Sequence, residues 1–259
     1  MALPATIGAV VTAGATALKT LGTKLLPYVV EGCKALIPVV VNKLAEWISG
    51  DDRNQLANEL SQSESFDAQK ASIAEIQQMR GIISNYKNSS LQKLDSGADE
   101  IVSGFSKMFD FSEELFGDID ENIARDMRES AKYHFNKAKE NLRSSIISQI
   151  SFDNESLSKI LMEDSGEGKR QKVEAFIDDI NANALRNFQS ELENALNAVF
   201  ELTKQKLSAK LEGIKSSAEK SVRFLEGYQN SPDKLGKEAQ QIALAKSIAT
   251  NQVAVSKLV

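Results

Sequence analysis

The chain has 259 residues, of which 42% are hydrophobic and 26% charged, with a net charge of −5. The charge is unevenly placed: residues 1–50 carry +2 and the rest −7. An acidic body excludes general nucleic-acid binding, which works by neutralising phosphates, and a single cysteine, Cys33, excludes an internal disulfide.

Four prolines and fourteen glycines are few for this length, and apolar residues recur at helical spacing. The expected fold class is all-α: an elongated bundle of long antiparallel helices with an N-terminal hydrophobic helical hairpin. The expected division is a hairpin over 1–50 and a long-helix bundle over 51–259.

The first apolar run, MALPATIGAVVTAGATAL, has no charged side chain before Lys19. It is long enough for a helix over residues 3–20, although Gly8 and Gly14 each weaken it by about 1 kcal/mol. No positive segment precedes this run, so no signal peptide is recognisable. The expected location is cytoplasmic or membrane-associated, or outside the cell by a non-classical route.

Leu21-Gly22-Thr23 is a natural break. A second run, LLPYVVEGCKALIPVVVNKLAEW, then has membrane dimensions: Tyr28 and Trp47 stand about 28 Å apart along a helix, close to the bilayer core, with aromatic residues at both ends. Pro27 suits a first turn, whereas Pro38 is expected to kink or split the helix. Lys34 near the middle counts against a simple span. The segments LLPYVVEGCKA and LIPVVVNKLAE repeat with an offset of 11, which keeps one helical face apolar. The residues expected to meet lipid are Ile7, Val10, Val11, Leu18, Leu25, Leu26, Tyr28, Val29, Val30, Leu36, Ile37, Val39, Val40, Val41, Leu44 and Trp47. The competing reading buries the same residues in the centre of a bundle, because a helix apolar all round suits either place.

Beyond Gly50 the pattern is amphipathic. A short polar helix is expected at about 52–63 and a linker at Ser61–Ser65. A long helix follows from about Asp67 toward Phe109, with Asp95-Ser96-Gly97 as a place for an interruption. Phe105, Phe109, Phe111 and Phe116 read as a hydrophobic plug at a bundle end. The helix at about 118–150 carries one continuous stripe: Ile119, Ile123, Met127, Ala131, Phe135, Ala138, Leu142, Ile146 and Ile150. His134, the only histidine, lies beside that stripe with no evident second ligand, so no metal site is expected.

A short helix at about 154–163 is expected to be capped by Asp153 or Asn154. Asp164–Lys169 (DSGEGK) lacks phosphate-loop spacing and reads as a connection. The longest helix is expected from about Arg170 to Glu226, broken only at Gly213, and a last helix at about 234–258.

Ala2–Gly50 and the long helices after Asp67 together resemble α-helical pore-forming toxins, although those proteins usually keep the apolar hairpin inside the helical array. QKVEAFIDDINANALRNFQSELENAL is also similar to the helical partners of bacterial dynamin-like proteins, without a GTPase P-loop. The resemblance implies a membrane-active protein that binds or inserts into a bilayer through its N-terminal hairpin, as a pore-forming or membrane-remodelling oligomer. The expected partners are a lipid membrane and either further copies of the chain or a second helical protein. The alternative is a soluble helical adaptor whose hairpin is a core or a protein interface. No catalytic residues, cofactor or metal are expected; carboxylate pairs such as Glu113-Glu114 and Asp178-Asp179 read as solvated faces.

Overall fold

The computed structural model describes residues 26–48, 50–117 and 120–230. Among them there are helices and connections and no strand, as the all-α expectation requires. The helices are α1 (Leu26–Ile48), α2 (Asp51–Gln62), α3 (Ile73–Gly117), α4 (Glu121–Gln149), α5 (Glu155–Leu161) and α6 (Glu167–Asn230). The expected helices at 3–20 and 234–258 lie outside the described residues, as do Ile7, Val10, Val11, Leu18 and Leu25.

Several boundaries differ from expectation, each for a local reason. The helix expected from Asp67 begins at Ile73. Asp67–Ala71 forms a turn instead, with the Asp67 carboxylate accepting from the Gln69 amide at 3.0 Å. Ser72 and Glu75 then close a capping box: the Glu75 amide donates to Ser72 Oγ at 3.3 Å, and the Ser72 amide donates to Glu75 Oε2 at 2.7 Å. Asp95-Ser96-Gly97 does not interrupt α3. Asp95 pairs with Arg143 at 3.2 Å, and the tertiary contact carries the helix through. Gly213 likewise leaves α6 unbroken, and α1 runs through Pro38, which stands on its exposed side. Asn154 caps α5, accepting from the amides of Ser156 and Leu157.

The chain forms two compact units. One boundary between them falls within α1, between Gly32 and Cys33. The larger unit comprises Cys33–Ser106 and Ala131–Leu196. Its core takes Ile37, Leu44 and Ile48 from α1, Leu60 from α2, Leu94 and Phe105 from α3, Phe135 and Ile146 from α4, and Phe188 and Leu192 from α6. Here α3 and α4 run antiparallel: Phe105 stacks on Phe135 with centroids 5.0 Å apart, Asp99 meets Lys139 and Asp95 meets Arg143, so one number falls as the other rises. Asn141 of α4 donates to Glu191 of α6 at 3.0 Å.

The described part of the other unit buries Leu26, Val30, Phe109, Ile123, Met127, Val199, Leu207 and Ile214. Two lysines one turn apart on α6 line its flank. Lys210 meets Asp120 at 2.9 Å, and Lys206 meets Asp126.

Candidate functional site

α1 has more apolar side chains than one buried face can take. Its buried stripe is Leu26, Val30, Cys33, Ile37, Val41, Leu44 and Ile48, at spacings of three or four. Val29 and Val40 are half-buried. Tyr28, Leu36 and Val39 are left outside, at 76%, 44% and 63% exposure. The sixteen residues expected to meet lipid are therefore divided. Five lie outside the described residues and the Trp47 side chain outside the described side chains; five are in the core, two half-buried and three exposed.

Within the larger unit, Leu36 and Val39 border a groove of about 220 Å³ between α1 and α3. Its walls are Leu36, Val39, Val40 and Leu44 on one side and Gly97, Ile101, Gly104 and Phe105 on the other. Gly97 and Gly104 lie seven residues apart, on one face of α3. A Cβ placed on Gly104 would meet nothing within 4 Å, so the missing side chain leaves usable space. Lys43 and Glu100 also line the groove, joined by a 2.8 Å ion pair. Both side chains are more than half exposed, so this bridge contributes little to stability. The arrangement offers apolar surface beside one ion-paired lysine.

A larger hollow of about 470 Å³ lies around the α2–α3 connection, lined in part by Glu59, Glu64, Phe66, Glu75 and Met79. Its acids are partly spent: Glu75 caps α3, and Glu59 accepts from Gln55.

Beside that connection, Lys169 is 2% exposed. Its ammonium donates to the carbonyls of Ser63 and Leu161 at 3.1 Å each and to the Glu64 carbonyl at 3.4 Å, with Ser63 Oγ at 3.3 Å. Burial pulls its pKa below the ordinary lysine value, against the attraction of Glu163 and Asp164. The cage of oxygens compensates that burial. It ties the α2–α3 connection to the end of α5, and the Phe66 amide joins the same two places by donating to the Leu161 carbonyl at 2.8 Å. DSGEGK was expected to be wholly a connection, but α6 begins at Glu167 and Lys169 lies in its first turn.

A second polar knot lies where α2, α3 and α6 meet. Arg53 of α2 reaches both oxygens of Asp178 at 2.9 Å. Asp52 accepts from Lys93 at 2.7 Å and from Ser89 at 2.8 Å. Deeper in, Tyr86, Ser90 and Asn181 are 4%, 1% and 4% exposed. Arg53 Nε is buried without a hydrogen-bond partner among the described residues. Burial raises the Tyr86 pKa, Ser90 and Asn181 pull it back, and Asp52 and Asp178 raise it further.

Neither polar group is legible in the sequence, because the members of each are scattered over more than a hundred residues. Among the described residues no cluster of His, Cys, Asp or Glu could hold a metal. Cys33 is fully buried, and burial pushes its thiol up to about 11, so it has little thiolate character at neutral pH. His134 lies edge-on to Tyr133.

Among the described residues no helix is long and apolar enough to cross a membrane. That statement includes α1, the described part of the second apolar run. At 23 residues α1 has the length, but it carries Glu31, Lys34, Lys43 and Glu46. No protein-family model, curated protein or solved structure matches the chain.

Proposed function

We propose that this protein binds membrane surfaces without using α1 as a span, through the exposed apolar side of α1 and the groove beside it. The observation that carries this reading is the exposure of Leu36 and Val39 along an apolar groove, on a helix whose opposite side is already committed to the core. Moving such side chains from water into the acyl boundary yields up to about 1.5–3 kcal/mol each, and an interfacial helix gains in proportion to the apolar area it buries. Lys43 is placed to exchange Glu100 for a lipid phosphate. The uncharged run before Lys19 supplies further apolar surface in the same N-terminal region. Self-association on the bilayer, with leakage or remodelling as its result, belongs to the same proposal.

The test is flotation with neutral and anionic liposomes, together with dye release. The full chain is expected to float, and Leu36→Ser/Val39→Ser to lose about tenfold or more of its binding, given two anchors of this size. The variant should keep its circular dichroism and melting point. A full chain that stays in solution with every lipid would reject membrane binding. The same surface would then be read as the docking face of a helical adaptor, a reading favoured by the full packing of the opposite side of α1.

A further inference from the structure

The cage around Lys169 lies within the larger unit and is independent of the membrane proposal. Two features of this lysine oppose its place in the fold. It is 2% exposed, and an ammonium loses its hydration on burial. It also stands in the first turn of α6, where the helix dipole disfavours a cation. The oxygens that compensate are all uncharged: the carbonyls of Ser63, Glu64 and Leu161, and Ser63 Oγ. Ser63 Oγ faces the ammonium as an acceptor, because its own proton goes to the Leu60 carbonyl at 2.6 Å. Converging acceptors of this kind suit an ammonium, which has three protons to give. A neutral amide has two, and a thioether none.

We propose that these oxygens form a cation site for a primary ammonium, and that the cation seated in it latches the α2–α3 connection to the end of α5. Carbonyl oxygens can replace the hydration of a cation in this way. The latch holds Phe66, which is 7% exposed, with its ring centroid 5.6 Å from that of Phe152 and its amide on the Leu161 carbonyl. Without a cation, carbonyls from two segments face one another with nothing between them to attract both, and the connection lifts away from α5.

Hydrogen exchange on the full chain tests this. Lys169→Ala removes the side chain beyond Cβ, and propylammonium supplies the atoms removed. In the variant the Phe66 amide should exchange about tenfold faster or more, as lost bonds to a charged group imply. The Phe135 amide in α4 should keep its protection. Propylammonium chloride, exchanged for sodium chloride at constant ionic strength, should return the Phe66 amide toward its native rate. The same concentration of 1-propanol, similar in shape but uncharged, should not. Should Lys169→Ala fail to fold, propylammonium should restore its folding and propanol should not. Lys169→Met, which keeps the length of the side chain but has no proton to donate, should match the alanine variant without propylammonium. Native protection of Phe66 in either folded variant, an equal acceleration at Phe135, or no greater recovery with propylammonium than with propanol would overturn the proposal.

Discussion

α4 and α1 are both helices with a buried stripe, yet they differ in what stands opposite that stripe. On α4 the buried positions from Ile123 to Ile146 are separated mostly by charged and polar residues, with Tyr133 the large apolar side chain left exposed, and the charged majority sets one orientation. On α1 the side facing away from the core still holds Leu36 and Val39. Periodic polarity tells a helix both which side goes in and which stays wet. Where polarity does not alternate, the neighbouring helices choose the side, and apolar side chains are left over. That surplus is where we place function.

The largest test of the contrast is in the α4 stripe. Phe135 is 2% exposed and stacks on Phe105. Phe135→Ala is expected to cost about 3–5 kcal/mol, as large aromatic-to-alanine changes in cores do. Urea unfolding measures it, and a loss below about 1 kcal/mol, the average for any point change, would mean that the stripe is not the core.

The contrast sharpens within α1 itself. Ile37 is 0% exposed and Val39, two residues on, is 63% exposed. Ile37→Ala should cost about 2–5 kcal/mol, and Val39→Ala no more than about 0.5 kcal/mol. The same urea experiment reads both. Equal costs would erase the distinction between the two sides of α1, and with it the ground for treating Val39 as surplus.

Legibility in the sequence follows the same division. Every α4 position that was expected to be buried and is described, from Ile123 to Ile150, is buried, because four-residue spacing set against charge leaves no second choice. α3 was read less well. Its expected start at Asp67 gives way to Ile73, which is 76% exposed at the first residue of the helix. The start of α3 was available in Ser72-Ile73-Ala74-Glu75, whose capping-box spacing outweighs the helix signal of the preceding turn. Of the expected aromatic plug, Phe105 and Phe109 are buried; the side chains of Phe111 and Phe116 lie outside the described side chains. The division of α1 was not legible, since Leu36 and Ile37 are adjacent and chemically alike, and only the position of α3 separates them. Lys169 was invisible for a different reason. Two of the carbonyls that hold it belong to Ser63 and Glu64, more than a hundred residues away, and backbone oxygens carry no residue signature.

The smallest expected effect acts on the groove from its far wall. Gly104 is exposed on α3, inside the helix, and an added Cβ meets nothing within 4 Å. Gly104→Ala should stabilise the fold by about 0.5–1 kcal/mol, because alanine gives up less backbone entropy than glycine in a helix. A bulkier Gly104→Leu places a side chain toward the space bounded by Val39 and Leu36. Its stability should stay near that of the alanine variant while liposome binding changes. If the groove accepts part of a lipid, filling it should weaken flotation even though apolar surface has been added. If only the apolar area of the surface matters, the extra leucine should strengthen flotation instead. The sign of that change separates a shaped recess from a merely greasy face, a distinction that removing Leu36 and Val39 cannot make.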